Sequence, residues 1–289
     1  MLMTLLAVLV VVAVMGATSM FDTTNMLETA GIRGAKSPKD PLKSSFAQYG
    51  SGHLFYGLNW AGLFDGSLWY QGTFGNHPWR AADWLITAIG GAGTTLTPAD
   101  AAPPKATFLT RATADGDGYN MQWSMDGGTT GQEVFLPTAN SLIIGYFKGK
   151  VDNAADDAHT KSRAYFGIGD LDTDIHGSVG NFIGGYKASG AAALIGITDA
   201  TAQDSAGTVG SFVNNTNFQF GFRVEGVTLV NFWWGTGTRV GDLEKVQSQT
   251  DVTDLSATEM CLQIQGETSE AAAITFHLEE AVVFQQLTM

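Results

Sequence analysis

The sequence holds a single cysteine, Cys261, only seven prolines, and only 15 lysines and arginines in 289 residues. One cysteine rules out an intramolecular disulfide and any cysteine-based metal site. It follows Met260 and precedes the alternating Leu262-Gln263-Ile264-Gln265. With no His or cationic neighbour to favour a thiolate, it reads as a small buried hydrophobe. So few prolines argue against a proline-rich stalk. Against the 15 cations stand 28 carboxylates, for a formal net charge of −13. Such a surface repels phosphate backbones and anionic lipid at long range, so nucleic acid is not an expected partner. Catalytic signatures are missing as well. The five histidines (His53, His77, His159, His176, His277) show no HxH or HExxH spacing, there is no G-x-S-x-G elbow, and Gly90-Gly-Ala-Gly93 lacks the Lys-Ser/Thr of a phosphate loop.

What the chain does have is material for a β-rich core. Hydrophobic residues make up 44% and aromatics 11%, while charged residues, at 15%, fall below the usual quarter. From His53 onward several segments alternate with period two. Phe218-Gln-Phe220-Gly-Phe222-Arg-Val224 sets apolar and polar side chains on opposite faces, as do Ile274-Thr-Phe276-His-Leu278, Ala164-Tyr-Phe166-Gly-Ile168 and Leu142-Ile-Ile144-Gly-Tyr146. This predicts half-buried antiparallel strands. Between them, Asp115-Gly-Asp-Gly118, Asp126-Gly-Gly128, Gly184-Gly185 and Gly235-Thr-Gly237 read as turns. No long amphipathic helix interrupts the pattern and no short repeat appears, so two stacked sheets are expected rather than a propeller or solenoid.

The first 52 residues are different. Met1 to Ala17 is apolar with no charged side chain, the first acid is Asp22 and the first basic residue is Arg33. A signal peptide and a membrane span stay open as readings, each without the basic flank it usually carries. The run Val8, Val10, Val11, Val12 and Val14, with Leu5, Leu6 and Leu9, suits a β-branched arm buried against a neighbouring subunit, the reading we carry forward. From Asp22 to about Gly52 the chain is polar and irregular, with Pro38 inside the Lys36–Lys39 patch and Pro41 just after it, as befits a linker. The expected division is residues 1–52, arm and linker, and residues 53–289, sandwich.

Several motifs recur in a familiar order. They run from Ala81-Ala-Asp-Trp84 and Ala114-Asp-Gly-Asp-Gly118 through Tyr165-Phe-Gly-Ile-Gly-Asp-Leu-Asp-Thr-Asp174. Phe220-Gly-Phe-Arg-Val-Glu-Gly226, Asp251-Val-Thr-Asp254 and Glu270-Ala-Ala-Ala-Ile-Thr-Phe-His-Leu278 complete the series. Over roughly residues 60–289 this order resembles the concanavalin A-like (lectin/glucanase) jelly-roll structural proteins of tailed bacteriophages. The resemblance implies an all-β jelly-roll sandwich of two antiparallel sheets. It also implies a non-enzymatic virion surface role such as capsid decoration, with capsid proteins, sister subunits in a homo-oligomer and host surface glycans as partners. A secreted or cell-surface carbohydrate-binding module and a filament-forming surface protein are the competing readings.

Retaining glucanases of this architecture need two carboxylates on one strand face, spaced as Glu-x-Asp-x-x-Glu. That spacing does not occur, and the adjacent Glu279 and Glu280 point to opposite faces of a strand. Asp170, Asp172 and Asp174 resemble the start of a Ca²⁺ loop, yet Ile175 and Asn181 stand where an EF-hand has glycine and glutamate. A solvated acidic loop, a weak Ca²⁺ site and a contact to a partner are the readings left open, and no other cofactor is expected. Trp233 and Trp234 are adjacent on a strand, so one faces inward and one outward. The outward one is read either as a ligand or partner contact or as a ring lying beneath a neighbouring loop.

Overall fold

The computed structural model of the chain describes residues 54, 68–73, 83–90, 95–99, 105–109, 116–152, 162–170, 174–177, 181–198, 205–237, 242–250, 258–268 and 275–286. Leu5 to Val14 and Asp172 lie outside the described residues. Among these residues the secondary structure is almost entirely strand.

One sheet is assembled from β1 (Leu68–Thr73), β3 (Thr95–Ala99), β4 (Lys105–Leu109), β6 (Leu142–Asp152), β11 (Thr216–Glu225), β12 (Leu229–Gly235), β13 (Glu244–Gln249) and β15 (Thr275–Gln286). Its order is β13-β12-β11-β6-β15-β4-β3, with β1 on the far half of β15. The other sheet holds β2 (Trp84–Ile89), β5 (Gly118–Trp123), β7 (Ser162–Gly169), β8 (Phe182–Lys187), β9 (Ala193–Ile197), β10 (Ser205–Ser211) and β14 (Cys261–Thr268), in the order β10-β9-β8-β7-β14-β5-β2. Each pairing between strands is antiparallel. The chain crosses from one sheet to the other after β1, β2, β4, β5, β6, β10, β13 and β14, which nests early strands between late ones as in a jelly roll. The expected all-β fold of two antiparallel sheets is the one formed.

The core between the sheets is rich in phenylalanine. Phe147 stacks on Phe220 and Phe222, with ring centroids 6.0 and 6.3 Å apart, and Phe166 from the facing sheet closes on Phe147 at 6.0 Å. Small residues make room for these rings. A methyl on Gly185 would lie 3.0 Å from Phe220 Cζ. Gly184-Gly185, read from sequence as a turn, therefore lies inside β8: the two glycines serve packing on its two faces rather than chain reversal. Asp126-Gly-Gly128 does turn, with φ of 81° and 82° at the glycines, and Gly116 turns at 86°.

The expectation of half-buried strands needs a second correction. β8 and β14 are buried at every position and β7 at all but Arg163. Period two here separates two buried faces of different polarity, not core from solvent. The outer face of the second sheet carries an apolar cluster of its own, built on Tyr165, Ile175, Phe182, Tyr186 and Ile197. On the outer face of the first sheet, Leu54 lies over Gly221, fully buried.

Candidate functional site

The outer face of the second sheet carries a row of polar side chains. β14 contributes Gln263, Gln265 and Glu267, the alternate positions to its core residues Leu262 and Ile264. Register sets Gln265 between Asn120 of β5 and Tyr165 of β7, Gln263 beside Gln122, and Glu267 beside Arg163. All three β14 side chains, with Asn120 and Gln122, are buried. Buried amides and carboxylates are costly unless they find partners, and here Gln265 is the hub. Its Oε1 accepts from Asn120 Nδ2 at 3.1 Å and from the backbone N–H of Ile175 at 2.8 Å. Its Nε2 donates to Asp174 Oδ1 at 2.8 Å.

These bonds tie the loop after β7 down onto the sheet. A single 3-10 turn, Ile175–Gly177, begins under the control of Asp174, whose Oδ1 also accepts from the His176 N–H at 3.1 Å. His176 is exposed, and its Nδ1 lies 3.1 Å from the Tyr165 hydroxyl. Tyr165 in turn stacks on Tyr186 (4.7 Å, 22°) and meets Phe182 edge-on at 5.7 Å. Burial, then the negative ends of Tyr186 and Glu267, push the Tyr165 hydroxyl far above the ordinary tyrosine range. It therefore stays protonated and acts as a hydrogen-bonding group, not as a base. Burial raises Tyr186 as well. Glu267 is approached by Arg163 Nη1 at 3.9 Å.

The acidic loop read as a Ca²⁺ candidate is thus committed internally at both described ends. Asp170 Oδ2 accepts from the backbone N–H and Nδ2 of Asn181, at 2.8 and 3.2 Å, closing the base of the loop. Asp174 holds Gln265 and the turn. Among the described residues no group of three or more His, Cys, Asp and Glu side chains is placed to hold a metal.

The two tryptophans separate as expected. Trp234 faces the core, stacked on Phe218 (5.9 Å, 8°) and edge-on to Phe212 at 5.3 Å. Trp233 points to the other face of the first sheet, yet only 1% of it is exposed. Cys261 is fully buried, and burial pushes its thiol up to about 12, so it is unreactive. No helix among the described residues is long and apolar enough to cross a membrane.

The sequence reading missed Asn120, Arg163, Tyr165, His176, Gln265 and Glu267 as a group. A signal was present: Gln263-x-Gln265-x-Glu267 puts three polar side chains on one face of a strand with strong apolar partners on the other. What hid it is that a polar strand face is usually a wet one.

Comparison with known proteins gives distant likenesses. No family model matches the chain, and no curated protein matches it. Among solved structures it is similar to a protein of unknown function from Shewanella oneidensis MR-1, at 12% identity and TM-score 0.47, covering 75% of this chain and 86% of that one. Basic winged bean lectin, solved with Tn-antigen, is similar at 11% identity and TM-score 0.48, over 76% and 99%. An endo-1,3-beta-glucanase from Streptomyces sioyaensis follows at 10% identity and TM-score 0.45, over 76% and 97%. The jelly-roll sandwich of two antiparallel sheets stands on this chain's own strand order. Likenesses this distant carry no argument about ligand or reaction.

Proposed function

We propose that the chain is a non-catalytic, glycan-adsorbing sandwich carried on the surface of a larger assembly, which we read from the sequence resemblance as a phage virion. The observation that supports this is the buried polar row of the second sheet, which reaches solvent at His176 beside the stacked pair Tyr165 and Tyr186. Sugars are held by convergent amide, carboxylate and hydroxyl groups next to an aromatic ring, with the polar groups fixed beforehand by a second layer of hydrogen bonds. Gln265 supplies that second layer for Asp174, and through it for the turn that carries His176.

Binding is favoured over hydrolysis because a glycosidase needs two carboxylates facing one bond. Asp174 is engaged by Gln265 and the turn, while Glu267 faces Arg163. The apolar residues Leu5 to Val14 supply the anchor: exposed, they would drive association, and burial between subunits covers them.

The test uses the full-length chain on a glycan array, run with Ca²⁺ and with a chelator because of Asp170, Asp172 and Asp174. One group of related glycans is retained. His176→Ala and Arg163→Lys each weaken that binding roughly tenfold, a loss of about 1.4 kcal/mol, with little change in melting temperature. A folded wild-type chain that retains no glycan sinks the binding reading. Sedimentation of the full chain against one lacking residues 1–52 tests the anchor, and two equally monomeric species would remove it.

A further inference from the structure

A second place of interest lies on the outer face of the first sheet, away from the polar row. Phe220 and Phe222 of β11 point into the core, so Gly221 between them faces outward on the first sheet. Its lateral neighbours in register are Trp233 of β12 and Tyr146 of β6, both on the same outer face. A residue without a side chain between two large aromatic residues leaves a slot one strand wide. Leu54 fills it: a methyl on Gly221 would come within 2.5 Å of Leu54 Cδ2. Leu54, Trp233 and Tyr146 are all at most 2% exposed.

The slot is not apolar throughout. The Trp233 indole N–H is buried with no hydrogen-bond partner. Such a donor costs stability, and a leucine cannot satisfy it. At the other wall the Tyr146 hydroxyl donates to Gln219 Oε1 at 2.8 Å, and Gln219 Nε2 donates to the Gly237 carbonyl at 2.8 Å. Glu280, also buried, sits in register with Lys148 one pair further along this face.

We infer that this slot is a sugar-ring subsite held closed by the chain's own Leu54. The apolar face of a pyranose takes the place of the leucine between the two aromatic rings, and a ring hydroxyl accepts the unmet Trp233 N–H. Leu54 is then a competitive internal occupant, and the apparent affinity of the closed chain is reduced by the fraction of time the slot is open. None of these residues belongs to the polar row of the second sheet, so the two sites stand or fall separately.

The experiment titrates laminarihexaose and cellohexaose into the full-length chain carrying Arg163→Lys, which weakens the other face, and follows tryptophan fluorescence. In that background Leu54→Ala binds at least one of the two hexaoses tenfold or more tightly than the parent, and adding Trp233→Phe cancels the gain. Leu54→Val, a smaller cut, shows a gain in the same direction and covers the case in which the alanine variant unfolds. Gly221→Ala, which displaces Leu54 but fills the floor of the slot, shows no gain. In the parent chain, the hexaose that binds the Leu54 variants speeds hydrogen exchange at the Leu54 amide. Folded Leu54→Val with no gain for either hexaose, or a gain that survives Trp233→Phe, overturns the inference.

Discussion

Lys187 is the residue least expected where it stands. It is fully buried at the end of β8, and its Nζ donates to the backbone carbonyls of Ser162 and Ala188. Burial alone pulls its ammonium down from the usual lysine range to about 7. In the unfolded chain the same group holds its proton to about 10.5. Between those two values the unfolded state binds more protons than the folded one, so this lysine makes stability rise with pH from about 7 toward 10 and leaves its full penalty in place below 7. Lys187→Met removes the penalty while keeping the unbranched stem. The variant should melt several degrees higher than the parent at pH 6, and the difference should shrink toward pH 9.5. Melting curves are best kept below pH 10, because Tyr146 and Tyr165, both raised by burial, reverse the slope above it. A difference that stays constant across pH 6 to 9.5 would show that Lys187 keeps its proton in the folded chain as it does in the unfolded one, so that burial does not perturb it.

At the scale of elements, the outer face of β7 and β8 is a packing surface in its own right. Gly167 and Gly169 of β7 lie beneath the Phe182 ring from the neighbouring strand: methyls there would come within 2.7 Å of Phe182 Cζ and 2.9 Å of Phe182 Cδ2. Gly167→Ala also drives its new methyl into the Ile183 carbonyl, a backbone atom that cannot swing aside. We expect it to lower stability by about 2 kcal/mol, within the usual range for overpacking. Denaturant titration should show a lower midpoint at unchanged m-value; an unchanged midpoint would mean that the backbones of β7 and β8 shift apart at little cost. This face also marks the limit of what could be read beforehand. The strands β6, β7, β11 and β15 were legible because Phe218, Phe220, Phe222 and their like repeat at period two, which hydrophobicity alone enforces. The internal place of Gly184-Gly185 was not, because glycine serves a turn and a close approach equally well, and only the neighbours distinguish them. Nor was the polar row: Gln263, Gln265 and Glu267 announce a polar face, but whether it is wet depends on a loop more than 80 residues earlier in the chain, the one carrying Asp174 and Ile175.

For the whole molecule, the decisive property is that its contacts are distant in sequence. β15 pairs with β6 along its entire length while its other edge takes β4 and then β1, so the last strand completes the middle of the first sheet. Gln285 closes this arrangement: its Nε2 donates to the Leu136 carbonyl at 2.6 Å and its Oε1 accepts from the Leu136 N–H at 2.9 Å, across 149 positions. Closing such loops costs entropy before any contact is gained, which places folding of β-sandwiches on the order of milliseconds to seconds. The pairing that needs the most chain already ordered is expected to form last, after the transition state. Gln285→Leu then leaves the Leu136 N–H and carbonyl without their amide, at a cost of about 1 to 2 kcal/mol. That cost should appear as unfolding about tenfold faster, with refolding nearly unchanged. Stopped-flow tryptophan fluorescence against denaturant separates the two limbs. If refolding slows by the same factor instead, the β15 closure belongs to the nucleus, and the sandwich is organised from its ends inward rather than from the hairpin of β11 and β12.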